Sequence, residues 1–229
     1  PLDVQGSPVD ESQLLKFTPE KHNRVILQPK ALDELSEIIH SAERPLILAG
    51  NGVRLGGAVE IFRSFIQKHN IPMVSTFLGM DLISSYDDLS IGRVGIKGDR
   101  AGNFALQNAD LVICMGTRLG VPTTGFEYNL FVRSGKLVVI DIDEIEHQKN
   151  TVSIDYFIHA DIADVLRDLD LGTYLTRESW TSKCNHWKKK WPTCLKEYDN
   201  DNEGINMYYF TGALSNFLPQ GVAVVCDAG

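Results

Sequence analysis

The sequence predicts a doubly wound α/β domain with a parallel sheet and a helical C-terminal extension, and three observations carry that expectation. Short runs of apolar and β-branched residues alternate with segments of helical periodicity, the runs show no polar alternation, and glycine turns follow several of them. Strands apolar on both faces are covered on both faces, and strands separated by helices connect by right-handed crossovers into a parallel sheet.

From Pro1 to about Lys30 there is little periodicity, and Gly6, Pro8, Pro19 and Pro29 interrupt polar sequence. Residues 1–30 therefore read as a linker lying over a surface, with a strand-like start at residues 1–5. Leu32, Leu35, Ile38 and Ile39 recur at helical spacing, then Pro45–Ala49 gives a short apolar run closed by Gly50. Residues 58–69 carry Ile61, Phe62 and Phe65 on one helical face, and residues 71–75 form a second strand. A long glycine-dotted loop fills residues 76–98, a helix spans Arg100–Asn108, and Leu111–Met115 is a third strand. Residues 137–142 and 155–159 are the fourth and fifth strands, and residues 162–169 form a closing helix, so the domain covers residues 31–171.

Residues 172–229 change character to polar and aromatic helices. Trp180, Cys184, Trp187 and Trp191 share one helical stripe, a face that normally buries and only rarely forms a cofactor box. Lys188, Lys189 and Lys190 lie mostly off the stripe and read as a solvated face. Pro192 should end or kink that helix, residues 200–204 form a loop, and a helix over residues 205–218 leads into a strand at residues 222–226. The chain opens on Pro1 and stops at Gly229, just after that strand, so both ends read as cut from something longer.

Composition bounds the function. The 229 residues are 43% hydrophobic and 23% charged, ordinary globular proportions, and no apolar stretch approaches the ~20 residues a membrane helix needs. Thirty acidic residues against 22 basic ones give a net charge of −8 and a pI near 5.2, so neither nucleic acid nor an anionic membrane surface is an expected partner. Cys114, Cys184, Cys194 and Cys226 form no C-x-x-C pair, which fits the reducing cytoplasm. The six histidines lack metal-ligand spacing, and there is no G-x-S-x-G elbow, leaving a binding role rather than bond-making for this segment.

The strongest local signal is the strand from Leu46 running into Gly50-Asn51-Gly52-Val53-Arg54-Leu55-Gly56-Gly57. Such a turn either lets the backbone approach a phosphate at a helix N-terminus or merely needs glycine to close. The dinucleotide fingerprint G-x-G-x-x-G would put its third glycine at Leu55, and the second strand ends in Ser75-Thr76 rather than in an acid for the ribose. Three further clusters follow strands or enter helices: residues 95–103, Met115 to Gly120, and Asp141 to Asp143. At the carboxyl ends of parallel strands these loops converge on one crevice. Arg118 can pair with a phosphate or a flavin carbonyl, or simply bridge Asp141 or Glu127; Asp141 is a candidate acceptor for ribose or adenine groups, and Asp143 serves equally as a helix cap.

These strings have a known arrangement. Arg44 to Arg54, Gly95 to Gly98, Asn108 to Ile113, Gly116 to Arg118 and Ile140 to Asp143 resemble, in the same order and at similar intervals, the central domain of thiamine diphosphate-dependent enzymes of the acetolactate synthase type. Residues 1–5 are similar to the exit from that family's preceding pyrimidine-binding domain, and residues 226–229 to the first strand of its diphosphate-binding domain. The resemblance implies a Rossmann-like central domain that binds FAD or another ADP-containing group, or that has lost the site and serves structurally. It carries the cofactor-binding role onto Gly50 and Asn51, onto Thr76, Phe77 and Leu78, and onto Gly95, Ile96 and Lys97. It does the same for Gly116, Thr117 and Arg118, for Asp141 and Ile142, and for Asp161 and Ile162. Lys97 stands where the FAD-dependent synthases carry histidine, and residues 119–122 replace their Phe-Asp-Asp-Arg, so FAD and a branch without bound flavin both stay open.

The resemblance also implies a parent protein that joins 2-keto acids through thiamine diphosphate and Mg²⁺, as a homodimer or homotetramer. Its activating glutamate belongs to the preceding domain and its metal motif to the following one. Neither lies in these residues, so the segment alone is expected to be inactive. Two other readings compete: a self-sufficient nucleotide-binding oxidoreductase, and a purely structural or oligomerising module.

Overall fold

The computed structural model describes residues 2–18, 25–172, 176–200 and 204–225. Helix α1 (Pro29–Ser41) starts on a proline, whose fixed φ suits a first helical turn, and leads into β1 (Pro45–Ala49). Helix α2 (Val59–His69) ends at Asn70, whose left-handed φ of 50° stops it before β2 (Met73–Ser75). There follow β3 (Ser90–Arg93), α3 (Arg100–Asn108), β4 (Leu111–Met115), β5 (Lys136–Asp141), β6 (Tyr156–His159), α4 (Ile162–Asp168), α5 (Glu178–Lys190) and α6 (Met207–Ser215). Among the described residues the six strands form one all-parallel sheet in the order β3-β2-β1-β4-β5-β6.

The missing polar alternation is explained by two apolar cores, one on each face of the sheet. Ile47, Ile113 and Ile140 point to a core shared with α1, α2 and α4, where Ile39, Phe62 and Val165 are buried. Leu48, Val112 and Val139 point the other way, to α3 and α5. Every residue of β1 and β4 is buried, so both phases of the period-2 strand pattern must be apolar.

Helix α5 buries the stripe of Trp180, Cys184 and Trp187 in the second core, with Trp191 partly buried at its edge. Trp180 is 2% exposed and its indole Nε1–H donates to the Pro45 carbonyl at 2.9 Å. Arg177, preceding the helix, donates to the carbonyls of His40 and Ala42, two groups that the end of α1 leaves without intrahelical partners. Burial pushes the Cys114 thiol far above its ordinary range and that of Cys184 to about 12, so both behave as inert core residues.

Four expectations need correction. The predicted loop at residues 76–98 contains β3, an edge strand paired on one side through a shifted register and bent at Gly92 (φ 137°), too short and irregular to show periodicity. The strand expected at residues 222–226 is absent over Val222–Val225. Those residues are exposed, Val225 by 94%, because a strand exists only where another pairs with it; Cys226 lies outside the described residues. The strand-like start is a single helical turn, Leu2–Gln5. Lys188 is not a solvated residue like Lys189 and Lys190: it is half-buried, and its Nζ donates to the carbonyls of Ser85 and Asp87 at 2.7 and 2.8 Å.

Asp99 ties three elements together. Its carboxylate accepts from the backbone N–H of Arg93 at 2.7 Å, from that residue's guanidinium, and from the Thr193 hydroxyl at 2.9 Å. Burial pushes its pKa up, but the Arg93 bonds and the Thr193 hydroxyl outweigh burial and hold it below the ordinary 3.8. A lowered folded value means stability that is complete above the unfolded value and lost as pH falls through the folded one. Asp99→Asn is expected to destabilise the chain by about 1–3 kcal/mol at neutral pH, with the difference from the parent chain shrinking below pH ~4, as read by urea unfolding across pH. Trp180→Ala should cost about 3–5 kcal/mol in the same assay, from the cavity and the orphaned Pro45 carbonyl.

Candidate functional site

In strand order 3-2-1-4-5-6 the connections leaving β1 and β4 diverge to opposite faces, opening a crevice at the carboxyl edge of the sheet. Five loops border it: residues 50–57 after β1, 76–80 after β2, 116–124 after β4, 142–143 after β5 and 161–162 after β6. Together they enclose a cleft of about 800 Å³, large enough for a nucleotide.

The cleft is set by backbone packing. A Cβ on Gly50 would sit 2.2 Å from the Gly116 carbonyl oxygen, and one on Gly52 would sit 2.5 Å from the Gly116 Cα. Gly116 itself has φ 61°, and a Cβ there would meet Gly52 Cα at 2.5 Å and Ile162 Cδ1 at 2.8 Å. The three glycines are thus required by one another. The N–H groups that follow Asn51 at this turn are engaged. The helix is one turn, Gly52–Leu55, with the Gly52 N–H donating to Gly116 O at 2.9 Å. The N–H groups of Val53, Arg54 and Leu55 donate to the carbonyls of Gly50 and Asn51. So short a helix spends its donors on its own turn and on the neighbouring loop.

Of the residues singled out from the sequence, Asn51, Thr76, Phe77, Leu78, Gly116 and Thr117 line the cleft, as do Arg118, Asp141, Ile142, Asp161 and Ile162. Gly50 lies beneath it, against Gly116. Gly95, Ile96 and Lys97 do not line it. The Gly95 N–H donates to Asn103 Oδ1, the Ile96 N–H donates to the Pro122 carbonyl, and Lys97 is exposed, so this loop supports the short helix Val121–Thr124 from behind. Leu55, Gly56, Pro122 and Thr123 also line the cleft and were not singled out. Leu55 and Gly56 belong to the glycine turn that was the strongest local signal, and Pro122 and Thr123 lie in or beside the segment that departs from the family pattern.

Arg118 is exposed, and its guanidinium forms none of the bonds or ion pairs among the described residues, so neither the Asp141 nor the Glu127 bridge exists. Asp141 accepts from the Asp143 N–H at 3.0 Å, and its Oδ2 lies 3.5 Å from the buried Nε2 of His147 without a directed hydrogen bond between them. Asp143 accepts from the Glu146 N–H at 3.0 Å within a turn, the residue at the cap of the short 3-10 helix Glu146–Gln148 being Ile145, and Asp161 caps α4 by accepting from the Ala163 N–H at 2.8 Å. On the opposite wall Arg54 donates to Asn51 Oδ1, the Leu78 carbonyl and Asp81 Oδ1, tying the loop after β2 to the loop after β1. Among the described residues no three His, Cys, Asp or Glu side chains are grouped to hold a metal, and no helix is long and apolar enough to cross a membrane.

Gly116→Ala is expected to lower stability by more than about 2 kcal/mol, from backbone strain and collision, whereas Gly120→Ala, whose Cβ would meet only Pro122 Cδ at 3.7 Å, should change it little; thermal unfolding compares the two.

Comparison with known proteins gives the cleft a context. Residues 32–169 match the family described as thiamine pyrophosphate enzyme, central domain. The chain is 33% identical over 169 residues to a probable acetolactate synthase large subunit of Methanococcus aeolicus, covering 73% of this chain and 27% of that protein. It is 31% identical over 222 residues to a protein of the same description from Methanocaldococcus jannaschii, covering 95% and 36%. It is also 31% identical over 236 residues to the 3D-(3,5/4)-trihydroxycyclohexane-1,2-dione hydrolase of Clostridium tetani, covering 99% and 34%. The chain thus spans about a third of the length of these curated relatives.

Proposed function

The chain belongs to the central domains of the thiamine pyrophosphate enzymes, and from that premise we propose that it is the middle part of an acetolactate synthase-like enzyme acting on 2-keto acids. The observation that carries the reading is the match over residues 32–169, in a chain that aligns almost end to end with a third of an acetolactate synthase subunit. In this proposal thiamine diphosphate and Mg²⁺ are held by the flanking parts of the parent, and the cofactor supplies the carbanion sink when bound. The residues described here supply placement. Their buried thiols are not nucleophiles.

Within the parent, the cleft at the strand carboxyl ends receives an adenine-bearing ligand, a role supported by its position, its volume and its carboxylates at Asp141 and Asp161. A purely structural role is the second reading, favoured by the glycine packing, which needs no ligand to explain it. The acidic balance of −8 supports a protein working apart from nucleic acid and membrane, four cysteines without C-x-x-C spacing support the cytoplasm, and the parent is proposed to be a homodimer or homotetramer.

With pyruvate, thiamine diphosphate and Mg²⁺, this chain alone is expected to form no acetolactate, and a polypeptide that includes the flanking domains is expected to form it. Turnover by the chain alone would overturn the non-catalytic reading. Ring opening of a trihydroxycyclohexane-dione by the longer polypeptide, with no acetolactate formed, would reassign the parent to the activity named for the Clostridium tetani relative.

A further inference from the structure

A buried imidazole stands beside the cleft without lining it. The His147 side chain is 3% exposed, and its Nε2, shut off from solvent, has no hydrogen-bond partner. Such an atom costs the fold, because with or without its proton it has given up water and gained nothing in exchange. At 3.5 Å from it lies Oδ2 of Asp141, the buried carboxylate that ends β5 and lines the cleft. The ring is fixed in place: it packs on Phe157 of β6 with centroids 5.3 Å apart. The turn that carries it is tied to the cleft wall by Lys149, whose Nζ donates to the Arg118 carbonyl at 2.5 Å and pairs with Glu146.

Asp141 is held from one side. Its Oδ1 accepts from the Asp143 N–H at 3.0 Å, while the 3.5 Å from Oδ2 to the imidazole is about half an ångström beyond an ordinary N–H···O bond. A small rotation of the carboxylate closes that gap. A carboxylate has roughly four lone-pair sites, so bonds to Asp143 and His147 leave others for the hydroxyl and amino donors of a ligand. An imidazole serving stability alone would be fully bonded in the empty cleft, and this one is not. Resting on the reading of the cleft as an adenine site, we propose that His147 is a positioning residue for that ligand. As the Nε2–H tautomer it donates to Asp141 Oδ2 when the cleft is occupied, and so fixes the orientation in which the carboxylate accepts from the nucleoside.

Isothermal titration with adenosine, on the chain and its variants, tests this. His147→Leu is expected to weaken adenosine roughly tenfold, about what one charge-assisted hydrogen bond contributes, and His147→Gln, whose amide donates from a similar reach, should keep most of the affinity. Thermal unfolding of His147→Leu should come no lower than that of the unmodified chain, since an unpartnered polar atom gives way to an apolar group. Combined with Asp141→Ala, His147→Leu should cost no further affinity, because the imidazole acts only through that carboxylate. In the unmodified chain, the ¹⁵N signal of His147 Nε2 should move on addition of adenosine to the position of a protonated, hydrogen-bonded nitrogen. Adenosine binding unchanged in His147→Leu, weakened binding that Gln does not restore, or an Nε2 signal that ignores adenosine would overturn the positioning role and leave the adenine reading standing. No binding of adenosine by the unmodified chain would overturn the adenine reading itself and this inference with it.

Discussion

The packing of one loop backbone on another, Gly50 and Gly52 against Gly116, is the contact on which the rest of the structure depends. It joins the turns leaving the two central strands at a separation no side chain tolerates, and hydrogen bonds from the Gly50 N–H to Met115 O and from the Gly52 N–H to Gly116 O lock it. Steric exclusion fixes the geometry here, since a methyl group at any of the three positions would have to displace backbone. Because the turns are fixed, Asn51 from one and Thr117 and Arg118 from the other face the same cleft. The contact takes up the Gly50 and Gly52 N–H groups, and those of Val53, Arg54 and Leu55 bond within the turn itself.

Hydrogen bonds to chain ends secure the second face. Trp180 reaches the Pro45 carbonyl at the start of β1, Arg177 the last carbonyls of α1, and Lys188 the carbonyls before β3. Trp180 joins α5 to the sheet by burial and by a polar bond together, and Arg177 and Lys188 add bonds from the same segment to carbonyls near the end of α1 and in the loop before β3. Asp99 does the same for the edge, where β3, α3 and the segment at Thr193 meet.

Relatives named for forming acetolactate and for hydrolysing a cyclic dione share this domain at similar identity. A domain common to two named chemistries is in keeping with the proposal that it supplies a frame, and the carboxylates of its cleft are engaged in caps and turns.

The apolar strands and helical faces were legible in the sequence because complete burial on both sides of a parallel sheet demands unbroken apolar runs; Arg100–Asn108 and Leu111–Met115 can be read to the residue. Strand β3 was not, because an edge strand with a glycine bend has no periodicity of its own, and neither was the fate of residues 222–225, which depends on whether a partner strand is present. For the cleft, the sequence by itself determined which loops stand at the strand carboxyl ends, since chain order and a parallel sheet place them there. Only the tertiary structure decided that the glycines serve one another, that Gly95–Lys97 support rather than line the cleft, and that Arg118 lines the cleft with Asp141, Asp143 and Asp161 while its guanidinium has no partner among the described residues. Those facts are distances between residues far apart in the chain, and no local pattern of side chains encodes them.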